Sequence, residues 1–244
     1  MSAFTLRTIA CVTMFLDHLG YCIAFTPFRM IGRIAFPLYV FLIVNGYLHT
    51  KNRLHYAARI GVMALVSQLP FSYFETGKLL EPKLNVMFSL LLVLFALWTV
   101  DKLSQNSKTK YFALLPSFGI FLLTFFEVLR VDYGPRGVLL ALVFWYFKDK
   151  PVPLWIGSFL ATFLYPILQI AKFCAFSLLG QNLIFPVPDT WTLIQLFSLL
   201  CIPLILVYNN QAGYKPQNPI AAKALQYGFY WFYPVHILVL ALIF

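Results

Sequence analysis

Leu84-Asn-Val-Met-Phe-Ser-Leu-Leu-Leu-Val-Leu-Phe-Ala-Leu-Trp-Thr-Val100 carries no charged side chain. A helix needs about 20 mainly apolar residues to cross the hydrocarbon core of a bilayer, and this run comes close to that length without interruption. The same texture recurs along the chain. Of its 244 residues, 61% are hydrophobic and only 11% are charged, whereas a soluble domain carries about 25% charged residues. The apolar excess runs from end to end. It excludes a disordered chain, a collagen-like repeat, a secreted disulfide scaffold and a soluble enzyme with a peripheral anchor. Lipid leaves no backbone group unpaired, so helices are the economical way to span it with such runs. The sequence therefore predicts an all-α polytopic membrane bundle. With no internal repeat and no long polar stretch, residues 1–244 read as one domain.

Working outward from residues 84–100, the same ruler marks eight further spans: 4–25, 31–49, 56–74, 111–128, 132–147, 153–177, 190–208 and 226–244. The expected total is thus about nine helices, within a range of eight to ten. The span at 132–147 is the shortest, because Arg136 and Lys148 close on it from both sides, and a partial or re-entrant helix there would change the count. The first segment has no small-residue cleavage site and carries Asp17 and His18, so it is expected to remain in the membrane. Prolines within the runs, among them Pro37, Pro203 and Pro234, are expected to mark kinks.

The formal charge is +10. In a soluble protein that would suggest nucleic acid, but here the Lys and Arg residues sit in short gaps between apolar runs and set topology. With a cytoplasmic N-terminus, eleven of the 18 fall inside, among them Arg7, Arg53, Arg59 and Lys108; the other seven, among them Arg29, Arg33, Lys83, Arg130 and Arg136, fall outside. The acids divide the other way, with Glu75, Glu127, Asp132 and Asp189 outside. The expected location is the cytoplasmic (inner) membrane. Cys11, Cys22, Cys174 and Cys201 all lie in apolar runs without the spacing of a zinc site, so they read as small buried hydrophobes and no metal is expected.

A titratable group inside a span costs at least a few kcal/mol and is a functional hypothesis by default. Asp17 and His18 stand in Met14-Phe-Leu-Asp-His-Leu-Gly20, in the outer half of the first helix. Arg33 follows at the outer start of the second, a short turn away, within reach of Asp17. Adjacent residues point about 100° apart on a helix, so Asp17 is better placed to hold Arg33 than to orient His18. His236, in Phe232-Tyr-Pro-Val-His236, falls near mid-depth in the last helix. The bland alternative is an ion pair that pins two helices and two hydrogen-bonded core histidines. Glu127, Arg130, Asp132 and Arg136 read as a solvated loop or as part of a substrate clamp, and Asn85 as a helix cap or a substrate contact. Asn45, Gln169 and Gln195 read as interhelical hydrogen-bonding groups. The basic inner face, with Arg53, Arg59 and Lys108, has the charge to hold the phosphates of a cytosolic anionic donor.

At these residues the chain resembles the TraX family of membrane proteins, within the wider group of multi-helix membrane acyltransferases. The resemblance rests on Leu16-Asp-His-Leu19, Gly32-Arg-Ile-Ala-Phe-Pro-Leu38 with Asn45-Gly46, Leu84-Asn-Val-Met-Phe88 with Tyr133-Gly-x-x-Gly137, and Phe232-Tyr-Pro-Val-His236. It implies transfer of an acyl group, acetyl from acetyl-CoA, to an amine or hydroxyl of an envelope acceptor such as pilin or a glycan. It also implies functional weight at Asp17, His18, Arg33, Asn85, Tyr133 and His236. Thioester acyl transfer needs a base for the nucleophile and a positive group for the oxyanion. His18 is expected to be the base and Arg33, oriented by Asp17, the stabiliser. His236 is expected to position the acceptor or to act as a second acid/base, with Asn85, Tyr133 and Arg136 on the substrate. Two rivals stay open: a proton-coupled transporter using Asp17, His18 and His236, and a non-catalytic conjugation or envelope assembly protein.

Overall fold

The chain is seen in a computed structural model that describes residues 1–178 and 193–244. Asp189, the first residues of the expected 190–208 span and the side chain of Gln169 lie outside the described part. Among the described residues there are ten α-helices and no β-strand. They are α1 (Ala3–Cys22), α2 (Thr26–Gly32), α3 (Ala35–His49), α4 (Arg53–Thr76), α5 (Val86–Ser104), α6 (Leu115–Phe125), α7 (Arg136–Phe147), α8 (Pro151–Leu178), α9 (Cys201–Leu206) and α10 (Pro219–Ile243). The expected all-α membrane bundle is what forms.

Helix ends follow local chemistry. The Ser2, Asn52, Asn85 and Asn218 side chains accept from backbone N–H groups in the first turns of α1, α4, α5 and α10, meeting donors that a helix start leaves unpaired. Gly77 ends α4 in the left-handed region at φ 69° and returns its N–H to Tyr73 O, a conformation glycine adopts without a Cβ penalty. Pro37 and Pro203 each stand in the first turn of their helix, where a missing N–H removes no intrahelical bond. Each follows a break in a longer helical run, as expected of a kink: the turn at Arg33 and Ile34 between α2 and α3, and the change from 3-10 geometry (Gln195–Leu200) to α9. Pro70 and Pro234 lie inside α4 and α10.

The expected set of full-length spans is corrected in detail. Among the described residues, Thr26–His49, which is α2 and α3 end to end, then α5 and α10 combine the length and apolarity to cross a bilayer, and α8 runs unbroken over the expected 153–177. Helices α1 and α4 have 20 and 24 residues but a lower mean hydropathy, because each turns a polar stripe toward an internal cavity. Helices α6 and α7 have only 11 and 12 residues, about 17 and 18 Å at 1.5 Å per residue, against a core about 30 Å thick. The runs at 111–128 and 132–147 are therefore partial. The first is broken by the turn that separates Lys110–Phe112 from α6.

Helix α3 is the hub. It packs on α1, α5 and α7 and buries Phe36, Leu38, Val40, Phe41, Val44 and Tyr47. Helix α10 lies against α4 and α1, and α8 against α7. Outer faces remain apolar: Val62, Leu65 and Leu69 on α4, Phe118 and Leu122 on α6, Ile156, Phe159 and Leu160 on α8, and Val235, Leu238 and Leu242 on α10 are all exposed. Such continuous apolar surface belongs in lipid rather than water. Asn45 Nδ2 donates to Tyr208 Oη at 2.8 Å, an interhelical tie of the expected kind. Cys11 and Cys201 are buried, whereas Cys22 is half-buried and Cys174 exposed, so only two of the four cysteines are core residues.

Candidate functional site

A tight reversal after α1 builds the charged part of the site. A Cβ on Gly20 would sit 2.7 Å from Phe28 Cβ and 2.9 Å from Phe25 O, so its absence lets α2 fold back along α1. A Cβ on Gly32 would overlap the Asp17 side chain. That close approach delivers two arginines to one carboxylate. Arg33 Nη2 donates to Asp17 Oδ2 in a buried ion pair. Arg29 Nη1 lies 3.1 Å from the same oxygen and donates to the Asp17 backbone carbonyl at 3.1 Å. Asp17 Oδ1 is buried and accepts no hydrogen bond.

His18 faces away from this cluster, toward α10. Its Nδ1 is 2.9 Å from Met14 O and 3.0 Å from His236 Nε2. His236 Nδ1 is 2.6 Å from Phe232 O, and its ring stacks on Phe232. Phe74 meets the His18 ring edge-on. The two imidazoles come from opposite ends of the sequence and meet because α10 packs beside α1 and α4.

His18 and Arg33 open onto one cavity of about 490 Å³. Its walls are stripes of α1, α3, α4 and α10, with Arg29 and Gly32 of α2, Val86, Met87 and Leu90 of α5 and the loop before α7. Along α1 the stripe is Arg7, Met14, His18 and Tyr21; at about 1.5 Å per residue Arg7 and His18 stand about 16 Å apart. One end holds Asp17, His18, Arg29, Arg33, Glu75, Lys83, Asp132, Tyr133 and Arg136; the other holds Arg7, His49, Tyr56, Arg59 and Tyr230. The middle is apolar, with Phe36, Leu42, Ile43 and Leu90.

At the first end, Lys83 Nζ bridges Glu75 at 3.2 Å and Asp132 at 3.0 Å. Burial opposes its charge, but the two carboxylates outweigh that penalty and hold its pKa above the ordinary lysine value. The bridge depends on a backbone tie between loops: Leu84 N donates to Arg130 O at 2.8 Å, and Asp132 N donates to Leu84 O at 3.1 Å. Tyr133 stacks on Phe36 with the rings nearly parallel, at a centroid distance of 3.6 Å. At the opposite end, the Arg59 guanidinium lies 5.8 Å from the Tyr56 ring centroid and 5.9 Å from that of Tyr230. Its Nε is buried and makes no hydrogen bond.

The structure sorts the residues singled out from sequence. Asp17, His18, Arg33, Tyr133 and Arg136 line the cavity, and Arg59 joins them at the far end. His236 does not line it; it stands behind His18. Asn85 is fully buried between α4 and α5, with Nδ2 donating to Ala64 O and Gln68 Oε1 and Oδ1 capping Met87 N. Its polar atoms are occupied by the fold, which corrects its reading as a substrate contact. Arg53 pairs with Asp101 and lies over the Tyr47 ring, and Lys108 is exposed on the α5–α6 connection. Neither reaches the cavity, so of the three basic residues expected to hold a donor only Arg59 lines it. The charged loop divides: Glu127 and Arg130 are exposed, while Asp132 and Arg136 turn inward. Gln195, expected to bond between helices, also lines the cavity. Sequence reading passed over Arg29 and Arg7 as site residues. Helical spacing carried both signals: Arg29 is four residues before Arg33, and Arg7 repeats at i+7, i+11 and i+14 as Met14, His18 and Tyr21.

These features define an all-α membrane protein with an internal cavity that is charged at both ends and apolar between them. A sequence model of the family described as TraX protein matches residues 2–244, and the chain belongs to that family. It is also similar to a probable fimbrial assembly protein FimC, serogroup H1, of Dichelobacter nodosus, at 28% identity over 264 residues, covering 98% of this chain and 94% of the relative. No solved structure matches it.

Proposed function

We propose that the protein is an acyltransferase of the bacterial inner membrane that moves an acetyl group from acetyl-CoA to an amine or hydroxyl of an envelope acceptor, such as a pilin-like protein or a glycan. One observation carries this reading: a single cavity has an imidazole, His18, and a buried guanidinium, Arg33, at one end and arginines beside tyrosines at the other. The donor phosphates would meet Arg59 and Arg7, its adenine has Tyr56 and Tyr230 as stacking partners, and its pantetheine arm would follow the apolar middle toward Arg33. The acceptor would enter from the side of Tyr21, Glu75 and Arg136.

In the transfer, His18 Nε2 takes the proton of the nucleophile as its lone pair forms a bond to the thioester carbonyl carbon. The oxyanion develops beside Arg33, a head with five donors of which Asp17 takes only some. Collapse breaks the C–S bond, and the departing thiolate receives the proton from His18. Direct transfer of this kind needs no acyl-enzyme. Asp17 and Arg29 fix the Arg33 head, so that little reorganisation accompanies the charge.

The name of the similar Dichelobacter protein favours a second reading, assembly of a pilus without catalysis. Labelled acetyl-CoA incubated with the purified protein and an envelope extract separates the two. Acyl transfer predicts a labelled acceptor, identified by mass spectrometry; an extract that stays unlabelled, with assembly fully supported by a His18→Gln variant, would favour the second.

A further inference from the structure

We infer that His236 is a positioning residue for His18, fixing its tautomer so that the nitrogen turned to the cavity carries a lone pair. This rests on the proposed role of His18 as base and adds the group that sets its protonation state.

The hydrogen bonds allow one assignment for the neutral pair. A backbone carbonyl only accepts. Phe232 O at 2.6 Å from His236 Nδ1 therefore requires a proton on that nitrogen, and a neutral imidazole has only one. His236 Nε2 is then an acceptor. It lies 3.0 Å from His18 Nδ1, which is also 2.9 Å from Met14 O. Two acceptors converge on His18 Nδ1, so the proton of that ring sits there, shared in a three-centre bond. His18 Nε2 is left bare, and His18 is the member of the pair that lines the cavity.

The neighbouring carboxylate is engaged elsewhere. Asp17 is committed to Arg33 and Arg29. His236 does the work that a buried carboxylate does behind the histidine of a hydrolase triad, holding the ring in the reactive tautomer, but as a neutral acceptor. When His18 gains a proton at Nε2, the Nδ1–H···Nε2 bond becomes charge-assisted and strengthens. Phe232, stacked on His236 at 4.8 Å between ring centroids, keeps the second ring in register.

The test uses the full-length protein labelled with 15N-histidine in lipid bilayers at about pH 8, above the ordinary imidazole value. His18 nitrogen signals, assigned by loss in His18→Gln, are expected to show a protonated Nδ1 and a bare Nε2. A His236→Phe variant is expected to shift His18 toward a mixture of tautomers and to lower kcat for acetyl transfer about ten- to hundredfold, with KM near wild type. His236→Gln, whose amide oxygen can accept from His18 Nδ1–H, should recover part of both signals. A wild-type His18 protonated on Nε2 would overturn the inference, as would His236→Phe with both tautomer and kcat unchanged. The nitrogen spectra need no acyl acceptor. If no transfer is found while the tautomer stands, the proposed reaction fails and the positioning does not.

Discussion

Among the described residues, two acidic side chains, Asp17 and Asp101, hold arginines, and their settings differ. Asp17, with Arg33 and Arg29, is sealed between α1 and α2, all three side chains 14% exposed or less; Asp101 holds an Arg53 that is 40% exposed at the end of α5. An exposed pair is worth about 0–1 kcal/mol, screened by water and salt. A buried pair pays heavily in desolvation and is weak support for stability, yet removing one partner strands a charge. The second pair closes a helix end beside Tyr47, which donates to Asp101 at 3.0 Å. The first stands on a cavity wall beside a histidine, where a costly charge has a use.

The largest effect expected from this contrast is on stability. Asp17→Ala leaves two guanidiniums buried without their carboxylate and should lower unfolding stability by about 3–5 kcal/mol; Asp101→Ala should change it by about 1 kcal/mol or less. Thermal unfolding of both variants in the same detergent makes the comparison, and equal losses would erase the distinction drawn here. Next comes Gly32→Ala, whose added methyl overlaps Asp17. Overpacking of this kind costs about 1–3 kcal/mol, and acetyl transfer should fall with it because Arg33 loses its anchor.

A smaller and more selective effect is expected at the far mouth. Arg59→Ala should raise KM for acetyl-CoA roughly tenfold, the loss of one hydrogen bond to a charged group, and leave kcat nearly unchanged. Arg53→Ala and Lys108→Ala should alter neither constant, since both lie off the cavity. The smallest effect concerns the Lys83 bridge. Its pKa is raised in the folded state, so its contribution to stability is complete below the unfolded lysine value of about 10.4 and fades as pH climbs through the higher folded value. Lys83→Met should lower stability across the neutral range by about 1 kcal/mol or less and flatten the alkaline limb of the profile, so that variant and wild type converge at high pH.

Much of this contrast was legible in the sequence, and the remainder has identifiable causes. Charges inside apolar runs are costly, which is why Asp17, His18 and Arg33 stood out. Their proximity followed from a short turn. The meeting of His18 with His236 did not, because it depends on α10 returning to α1 across nearly the whole chain. Arg53 and Arg59 look alike in composition, and only the rotation of α4 separates the one that packs on Tyr47 from the one that reaches the cavity. Asn85 misled because capping and ligand binding call for the same side chain; burial against Gln68 and Ala64 settles which role it plays. Hydropathy also overcounted full spans, since the runs 111–128 and 132–147 are cut short by turns that leave helices of 11 and 12 residues.

The central claim is that His18, on the wall shared with Arg33, is the base of an acyl transfer. It is tested most directly by giving labelled acetyl-CoA and envelope extract to the wild-type protein and to His18→Gln in matched bilayers, after checking that both are folded. The account predicts an acetylated acceptor with the wild type and a loss of about 10²-fold or more in the variant. Equal labelling by the two proteins would contradict it.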